Sequence, residues 1–509
     1  MNGAELLLGE AALERRGQQV ALVCAGEAIS RASLAECVRR ASGAYVAHGV
    51  RPGDRVILLM RDTPEAAAAW LGAVHAGAVA VALNGKISEA DYRHILADSE
   101  AKLVLVEDVF AHARPDLTAE LVGQGRVAIA GEAAPVGSSW REWLRRADDA
   151  APCAADPKDP AFALYSSGTT GRPKGIVHSH KVFLHVGKAF GAFGLEAGET
   201  VFSTSRLFFA YGLEHGLLAP LAMGLTSILC PDWPETDAVV ELVERHRPAA
   251  LFSVPTVYRR LLALPRPRLE AFRAVRRFIA AGERLSAQLV GQWRAAVDGE
   301  LLNLYGMSET FCACIVTPPH SSDGRRTGLP LPGVEVRLAD AREREPERGQ
   351  PGVLWVRHPA QASGYANLPA QTQAQFRDGW FCSRDLFVRD DAGYFVHQGR
   401  ADELVKVAGQ WVQPGELEEA VVLEAAVAEA ACVPVVDADG LERLALFVTA
   451  RGDAAEAVSA AAAACERALP RHKRPKWVRA VPELPRTATG KVQRFKLREL
   501  LERELAGRE

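Results

Sequence analysis

Between residues 50 and 107 short apolar runs alternate with Ala-rich stretches of helical length: VILLM, PEAAAAWLGAVHAG, VAVAL, EADYRHILADSEA and KLVLVE. That rhythm predicts strands and crossover helices of a parallel sheet. It returns downstream as TSILC, a helix over Asp237 to His246, AALFSV, a helix from Pro255 to Leu264, and RRFIAAG. Between the two stretches, residues 145–160 (RRADDAAPCAADPKDP) are polar and Pro-containing, which predicts a surface connection into the strand AFALYSS. Beyond Gly328 the texture changes to short β-like runs, VEVRL, GVLWVRH and GYFVHQ, separated by Gly and Pro turns. The last hundred or so residues mix a helix at Pro414 to Leu423, strands AACVPVV and LALFVTA, and an Ala-rich helix near Ala454 to Leu469. The expected architecture is α/β: a large N-terminal domain of two α/β layered subdomains plus a β-rich subdomain, followed by a small α+β C-terminal domain. No repeat period points to a solenoid or propeller.

Composition narrows the class. The chain has 509 residues, 48% hydrophobic and 24% charged, which fits a globular protein and excludes disordered, collagen-like or membrane-spanning chains. A formal net charge of -3 gives no global attraction to nucleic acid or anionic lipid, so a polyanionic ligand must be held locally. The segment Met1 to Glu14 carries Glu5, Glu10 and Glu14 and reads as no secretory signal. Nine cysteines are scattered without paired spacing, only Cys312 and Cys314 lying close together, which fits reduced thiols in a cytoplasm and no structural zinc.

Candidate chemistry sits in a few segments. YSSGTTGRPKG (165–175) follows an apolar strand. Its glycines let the backbone approach an anion, its hydroxyls donate, and Arg172 and Lys174 add charge, so a polyphosphate or a plain flexible loop fits it. A Walker A loop is excluded, because Pro173 precedes Lys174 and a β-like run, GIVHSH, follows. YGMSE (305–309) gathers an aromatic, a glycine, a hydroxyl and a carboxylate that suit a base, a phosphate and Mg²⁺, or simply a strand-end turn. Asp385 in FCSRD suits a ribose diol, and Arg400 in HQGRADE suits a phosphate, although each taken alone is more often a surface ion-pair partner. Lys491, in PRTATGK, stands on a turn from which a lysine can reach a developing oxyanion.

Together, SSGTTGRPKG, AAGE (280–283), YGMSE, the WFCSRD to GR stretch, VKVAGQWVQPGELEE and PRTATGK resemble, in order and spacing, the core motifs of the adenylate-forming family of acyl-CoA synthetases and adenylation domains. The resemblance spans nearly the whole chain. It implies an N-terminal domain over residues 1–401 and a small mobile C-terminal domain over residues 402–509, with ATP, Mg²⁺ and CoA as cofactors. By the same resemblance Ser166, Ser167, Thr169, Thr170 and Lys174 cradle the β- and γ-phosphates. Gly282, Glu283 and Tyr305 frame the adenine, Ser308 meets the α-phosphate and Glu309 binds Mg²⁺. Asp385 grips the ribose beside Arg400, Asp402 is the hinge, Gly409 lines a thiol channel and Lys491 is the adenylation lysine. Ser383-Arg384-Asp385 departs from the family's usual Thr/Ser-Gly-Asp. If the backbone there required positive φ, the arginine would cost about 1 kcal/mol.

The segment RLFFAYGLEHGLLAPLAMG (206–224) resembles that of benzoate-CoA ligases and implies an aryl acid, a substituted benzoate or a cinnamate-like acid. Phe208, Phe209 and Tyr211 are aromatic enough to hold a ring, with Ala210, Tyr211 and Gly306 as walls and Cys312, Ala313 and Cys314 enlarging one side. Glu214 and His215 are read as exposed helix positions, with contact to a ring substituent as the alternative. The acceptor is expected to be the CoA thiol. Alternatives are a carrier-protein phosphopantetheine or another oxyanion such as nitrite activated for attack by an aryl amine. A nucleotide-binding regulator without catalysis is disfavoured by the joint presence of Glu309 and Lys491. A homodimer is left open.

Overall fold

The computed structural model describes all residues except 132–137, 168–171, 341, 408–409, 423, 438–439, 487–491 and 507–509. The chain divides into two compact units. The first comprises Met1–Arg337, Trp355–Ser383 and Arg389–Val396; the second comprises Leu338–Leu354, Arg384–Val388 and His397–Glu509.

The two α/β layers expected from the apolar runs are both in the first unit. Among the described residues, one sheet has eight strands in the order Gly364–Tyr365, Pro173–Ser179, Pro160–Ser167, Val79–Ala82, Arg55–Leu59, Leu103–Glu107, Val127–Ala130 and Ser138–Ser139. Leu103–Glu107 and Val127–Ala130 are buried at every position, as parallel strands covered on both faces must be. The crossover helix Pro64–His75 starts where Thr63 accepts the Ala66 N–H at 3.1 Å and Pro64 presets the first helical φ. Its residues from Ala66 to His75 are all buried, so the Ala-rich composition reflects close packing on every side.

The second sheet has nine strands among the described residues. Its central parallel strands are Leu301–Tyr305, Arg277–Ala280, Ala250–Ser253, Thr200–Ser203 and Thr226–Leu229. Val20–Cys24 then pairs in parallel with Thr226–Leu229. Nothing in the local pattern announces that pairing, which joins residues some two hundred positions apart. A buried arginine secures it: the Arg31 guanidinium donates to Leu221 O at 2.7 Å, Leu225 O at 3.0 Å and Pro220 O at 3.1 Å. These carbonyls lie in and just after the helix Ala219–Met223, whose carboxyl end the guanidinium thereby caps.

The region from Glu335 to Arg400 forms a five-stranded sheet, the β-rich part read from the sequence. In the second unit, Val427–Val436 and Glu442–Ala450 pair antiparallel, and Trp477–Ala480 joins the latter in parallel. One face packs Val412, Leu417, Val421, Leu444 and Leu446 with the helix Ala454–Ala468. The other packs Val433, Phe447, Leu497 and Leu501 of the helix Arg494–Ala506. No helix among the described residues is long and apolar enough to cross a membrane.

Candidate active site

The hydroxyl-rich segment forms a hairpin. Strands Pro160–Ser167 and Pro173–Ser179 run antiparallel with Ser166 opposite Lys174 and Ser167 opposite Pro173. Thr169 and Thr170 lie outside the described residues. Both rims are tied to the helix Glu89–Ser99: Tyr165 donates to Asp98 Oδ2 at 2.7 Å, and His94 Nε2 donates to Pro173 O at 2.9 Å.

Lys174 stands at the foot of this hairpin and its ammonium lies 3.2 Å from Glu309 Oε1, each side chain 13% exposed. The same ammonium sits 3.8 Å from the Tyr365 ring centroid, and the Tyr365 hydroxyl donates to Glu309 Oε1 at 2.8 Å. A cation over a ring face whose own hydroxyl bonds the counter-carboxylate is held by charge, dispersion and a hydrogen bond together. The backbone of the following turn is fixed as well. His178 Nε2 donates to Ser308 O at 2.8 Å and Ala362 N–H donates to Glu309 O at 2.8 Å. Burial pushes His178 down to about 3, so its ring is neutral. Lys174 and His178 lie two pleats apart on one strand, and so read adjacent residues of the 307–310 turn from the same face. A single, largely buried carboxylate completed by phosphate oxygens and water is a set that Mg²⁺ accepts, so Glu309 fits the metal the sequence implied.

The carboxyl ends of neighbouring parallel strands bring further residues together. Ala281, Gly282 and Glu283 follow Arg277–Ala280, Tyr305 closes Leu301–Tyr305, and Ser253 closes the strand on the other side. Crevices at such strand ends are where open α/β sheets bind ligands. Gly282 has φ +82°, a conformation that favours glycine. The Glu283 carboxylate accepts from the Thr256 N–H at 3.1 Å and from its hydroxyl, satisfying a donor in the first turn of the helix Pro255–Leu262. Sequence reading did not foresee that second engagement.

The aromatic segment starts a helix at the same edge. Phe209 precedes the helix Ala210–Leu213, which runs through a π-helical turn, Glu214–Leu218, into Ala219–Met223. The Tyr211 hydroxyl donates to Ile279 O at 3.1 Å, which pins the helix start to the Arg277–Ala280 strand. Gly212 is required by close approach, since a Cβ there would lie 2.0 Å from Arg206 O. Phe208 and Phe209 face each other at 4.4 Å between centroids, and Phe208 meets Trp233 at 6.1 Å. A Cβ on Gly306 would lie 3.4 Å from both Cys312 O and Ala313 Cα, in van der Waals contact with that segment. Cys314 is buried with its thiol donating to Thr310 Oγ1 at 3.2 Å.

Glu214 and His215 correct the sequence reading, which placed them as exposed helix positions. Both are buried, each 1% exposed. The π-turn and the flanking strands enclose them: His215 packs against Phe252 at 4.8 Å, Tyr211 at 4.9 Å and Phe190 at 5.7 Å between centroids. Local polarity indicated a solvent face, and tertiary contact overrode it.

In the second unit Arg400 clamps two aspartates. It donates to both carboxylate oxygens of Asp402, at 3.0 and 2.9 Å, and lies 3.4 Å from Asp385 Oδ1. Burial alone would raise the Asp402 carboxyl, but the arginine outweighs it and holds the group below its ordinary range. The hydrogen bond to Asp402 likewise raises Arg400 above its ordinary value. Arg384 has φ +60°, so the arginine occupies a left-handed position where the sequence comparison led one to expect glycine. Gly409 and Lys491 lie outside the described residues.

Residues 9–366 match the family described as AMP-binding enzyme, and residues 416–491 match its C-terminal domain, AMP-binding enzyme C-terminal domain. The chain is an AMP-binding enzyme. It is 38% identical over 507 residues to the 3-hydroxybenzoate–CoA ligase of Aromatoleum sp. (strain CIB), covering 98% of this chain and 97% of that one. Among solved structures it resembles the anthranilate CoA ligase AuaEII in complex with anthranoyl-AMP, with TM-score 0.90 and 28% identity over 99% of this chain and 98% of that one. A benzoate CoA ligase from Burkholderia xenovorans LB400 matches with TM-score 0.87 and 31% identity, covering 98% and 100%.

For this AMP-binding enzyme, motif reading named Lys174 and Glu309 but missed Tyr365, which joins them, and His178 and Asp98, which anchor their surroundings. Two-residue alternation from Lys174 through Ile176 to His178 was the one signal available for His178. Tyr365 comes from a separate strand nearly two hundred residues along, and no local pattern connects it to the hairpin.

Proposed function

We infer that the protein is an AMP-forming aryl-CoA ligase, which activates an aromatic carboxylic acid with ATP and passes the acyl group to the CoA thiol. One observation carries this reading: within the first unit, the 305–314 segment leaving the nine-stranded sheet meets the Lys174 ammonium of the hydroxyl-rich hairpin at Glu309, and neighbours the helix that follows Phe209 at Cys312 and Ala313. The aryl-CoA ligases to which the chain is similar supply the acid class.

In the first step a carboxylate oxygen of the acid attacks the α-phosphorus of ATP. A new P–O bond forms, the bond to the β-phosphate oxygen breaks, and pyrophosphate carries away the electron pair, leaving an acyl-adenylate. Ser166, Ser167, Thr169, Thr170 and Lys174 hold the β- and γ-phosphates, and Ser308 holds the α-phosphate. On this reading Lys174 exchanges Glu309 for phosphate as the nucleotide enters, which frees the carboxylate for Mg²⁺. Bound at Glu309, Mg²⁺ supplies charge stabilisation on the phosphate oxygens. Gly282, Glu283 and Tyr305 frame the adenine, Asp385 holds the ribose with Arg400 beside it, and Lys491 bridges the acyl carboxylate and the α-phosphate. In the second step the thiol sulfur attacks the acyl carbon and AMP leaves. Asp402 serves as the pivot between domains 1–401 and 402–509, and Gly409 keeps the thiol channel open. Phe209, Ala210, Tyr211, Gly306 and Cys312 surround the ring. The scattered cysteines support a reducing compartment, and we place the enzyme in the cytoplasm.

The test is pyrophosphate release across a panel of aromatic acids with and without CoA, with mass detection of the product. An aryl-CoA thioester is expected. AMP release without a thioester would replace CoA by a carrier-protein arm or another nucleophile as acceptor, and no pyrophosphate release with any aromatic acid would overturn the reading.

A further inference from the structure

A buried polar cluster lies one helical turn beyond Ala210. Glu214 is four residues on from Ala210 and therefore shares its helix face. Cys312, Ala313 and Gly187 neighbour its carboxyl group, and the same Cys312–Ala313 segment backs Gly306. Glu214 Oε2 has no hydrogen-bond partner among the described residues. His215 Nδ1 lies 3.0 Å from Tyr211 O and donates to it, which puts the ring proton on Nδ1 and leaves Nε2 as a bare acceptor. That Nε2 is also buried without a partner among the described residues. The gap of 3.6 Å between Glu214 Oε2 and His215 Nδ1 is too long for the two groups to satisfy one another.

Leaving a buried donor or acceptor unmet costs about 1–3 kcal/mol per group, and native interiors seldom contain two side by side. A π-helical turn carries both, a local irregularity that recurs where helices serve a site. Ring stacking alone needs neither group: Phe252, Phe190 and Tyr211 already supply apolar surface here. Two buried polar atoms left unpartnered among the described residues, one helical turn beyond Ala210, are a place for a ligand's own polar atom.

We propose that Glu214, with His215 beside it, reads a hydrogen-bonding substituent on the aromatic ring, so that the acid is a hydroxy- or aminobenzoate in preference to benzoate itself. This assignment rests on the aryl-CoA ligase reading and sharpens it. A phenolic hydroxyl or an aryl amine donates to the bare acceptor and, for the hydroxyl, accepts as well. Burial raises Glu214 to about 8, so at neutral pH the group holds a proton and offers a donor as well as an acceptor; burial lowers His215 to about 4, which keeps its ring neutral. A site built in this way discriminates strongly, because an analogue without the substituent leaves both groups unpaired.

The experiment compares kcat/KM for benzoate, 2-aminobenzoate, 3-hydroxybenzoate and 4-hydroxybenzoate in the wild type and in Glu214→Leu, with thioester formation as readout. The wild type is expected to favour at least one substituted acid over benzoate by roughly 100-fold or more. In Glu214→Leu that ratio is expected to fall by about 30-fold, chiefly through KM. A merely structural glutamate would lower kcat/KM for all four acids alike and leave the ratio where it was. Should the leucine variant not fold, Glu214→Met and His215→Leu, which nearly keep the volume while removing the polar atoms, carry the same comparison. A wild type that turns over benzoate as well as the substituted acids, or an unchanged ratio in the variants, overturns the assignment while leaving the aryl-CoA ligase reading intact. Failure of all four acids in the wild type overturns that reading, and this assignment with it.

Discussion

Two polar pairs in the first unit are built on opposite principles. Lys174 and Glu309 are partly exposed and meet each other at 3.2 Å, with Tyr365 bonded to the same carboxylate. Glu214 and His215 are adjacent and buried, yet each keeps a polar atom without a partner among the described residues. The first pair is satisfied in the resting protein and must exchange partners when a charged ligand arrives. The second is unsatisfied and gains its partner only with the ligand. A triphosphate brings charge enough to pull an ammonium from a carboxylate, whereas one hydroxyl on a ring does not, so the acyl side must keep its polar atoms uncommitted.

The largest effect expected, acid unfolding, strikes both regions. Burial pushes His178 down to about 3 and His75, His180, His215 and His358 down to about 4. The unfolded chain takes up these protons near 6.5 and the fold does not, so this stability is complete above pH 6.5 and is lost as pH falls towards 4. At about 1.4 kcal/mol per unit for each ring, the combined loss is comparable with a typical stability of ~5–15 kcal/mol. Circular dichroism against pH should show the first unit unfolding before pH 4; an intact fold at pH 4 would mean that these rings do not stay neutral.

Changing the paired region should affect every acid equally. Glu309→Gln and Lys174→Met are each expected to slow pyrophosphate release by about 10²–10³-fold whichever aromatic acid is supplied. A loss confined to substituted acids would erase the distinction between the two regions.

Glu214→Gln probes the unpaired region through stability. Burial holds the glutamate at about 8 in the fold, so the fold keeps a proton that the unfolded chain releases near 4.5. Stability therefore declines as pH rises from about 4.5 to 8, by up to a few kcal/mol. Glutamine removes that decline, and thermal melts at pH 5 and pH 8.5 should show a flatter trend in the variant. Identical trends would place the carboxyl in a wetter setting than its burial indicates.

The smallest effect concerns Arg384, whose φ of +60° strains an ordinary side chain. Arg384→Gly should stabilise the protein by about 1 kcal/mol in denaturant melts. A destabilised glycine variant would show that the arginine side chain offsets the strain by contacts of its own.

How much of this was legible in the sequence follows from the range over which each feature acts. Apolar runs separated by helix-length stretches gave the two layers, because strand and helix periodicities are set within a few residues. Lys174, Ser308 and Glu309 were readable because a phosphate-binding turn must concentrate glycines, hydroxyls and charges in one short segment. Tyr365, Asp98, the pairing of Val20–Cys24 with Thr226–Leu229 and the Arg400–Asp402 clamp were not read, since they depend on partners that chain topology brings together. Glu214 and His215 show the limit most clearly. Charge and polarity put them on a solvent face, and only packing between strands and the 312–313 segment shows that they are inside. By itself the sequence determined the family, the layers and the nucleotide motifs, all properties of contiguous residues. Tertiary structure decided which polar atoms are paired and which are left bare, because burial and hydrogen-bond geometry belong to groups that meet in space and leave no local trace in the chain.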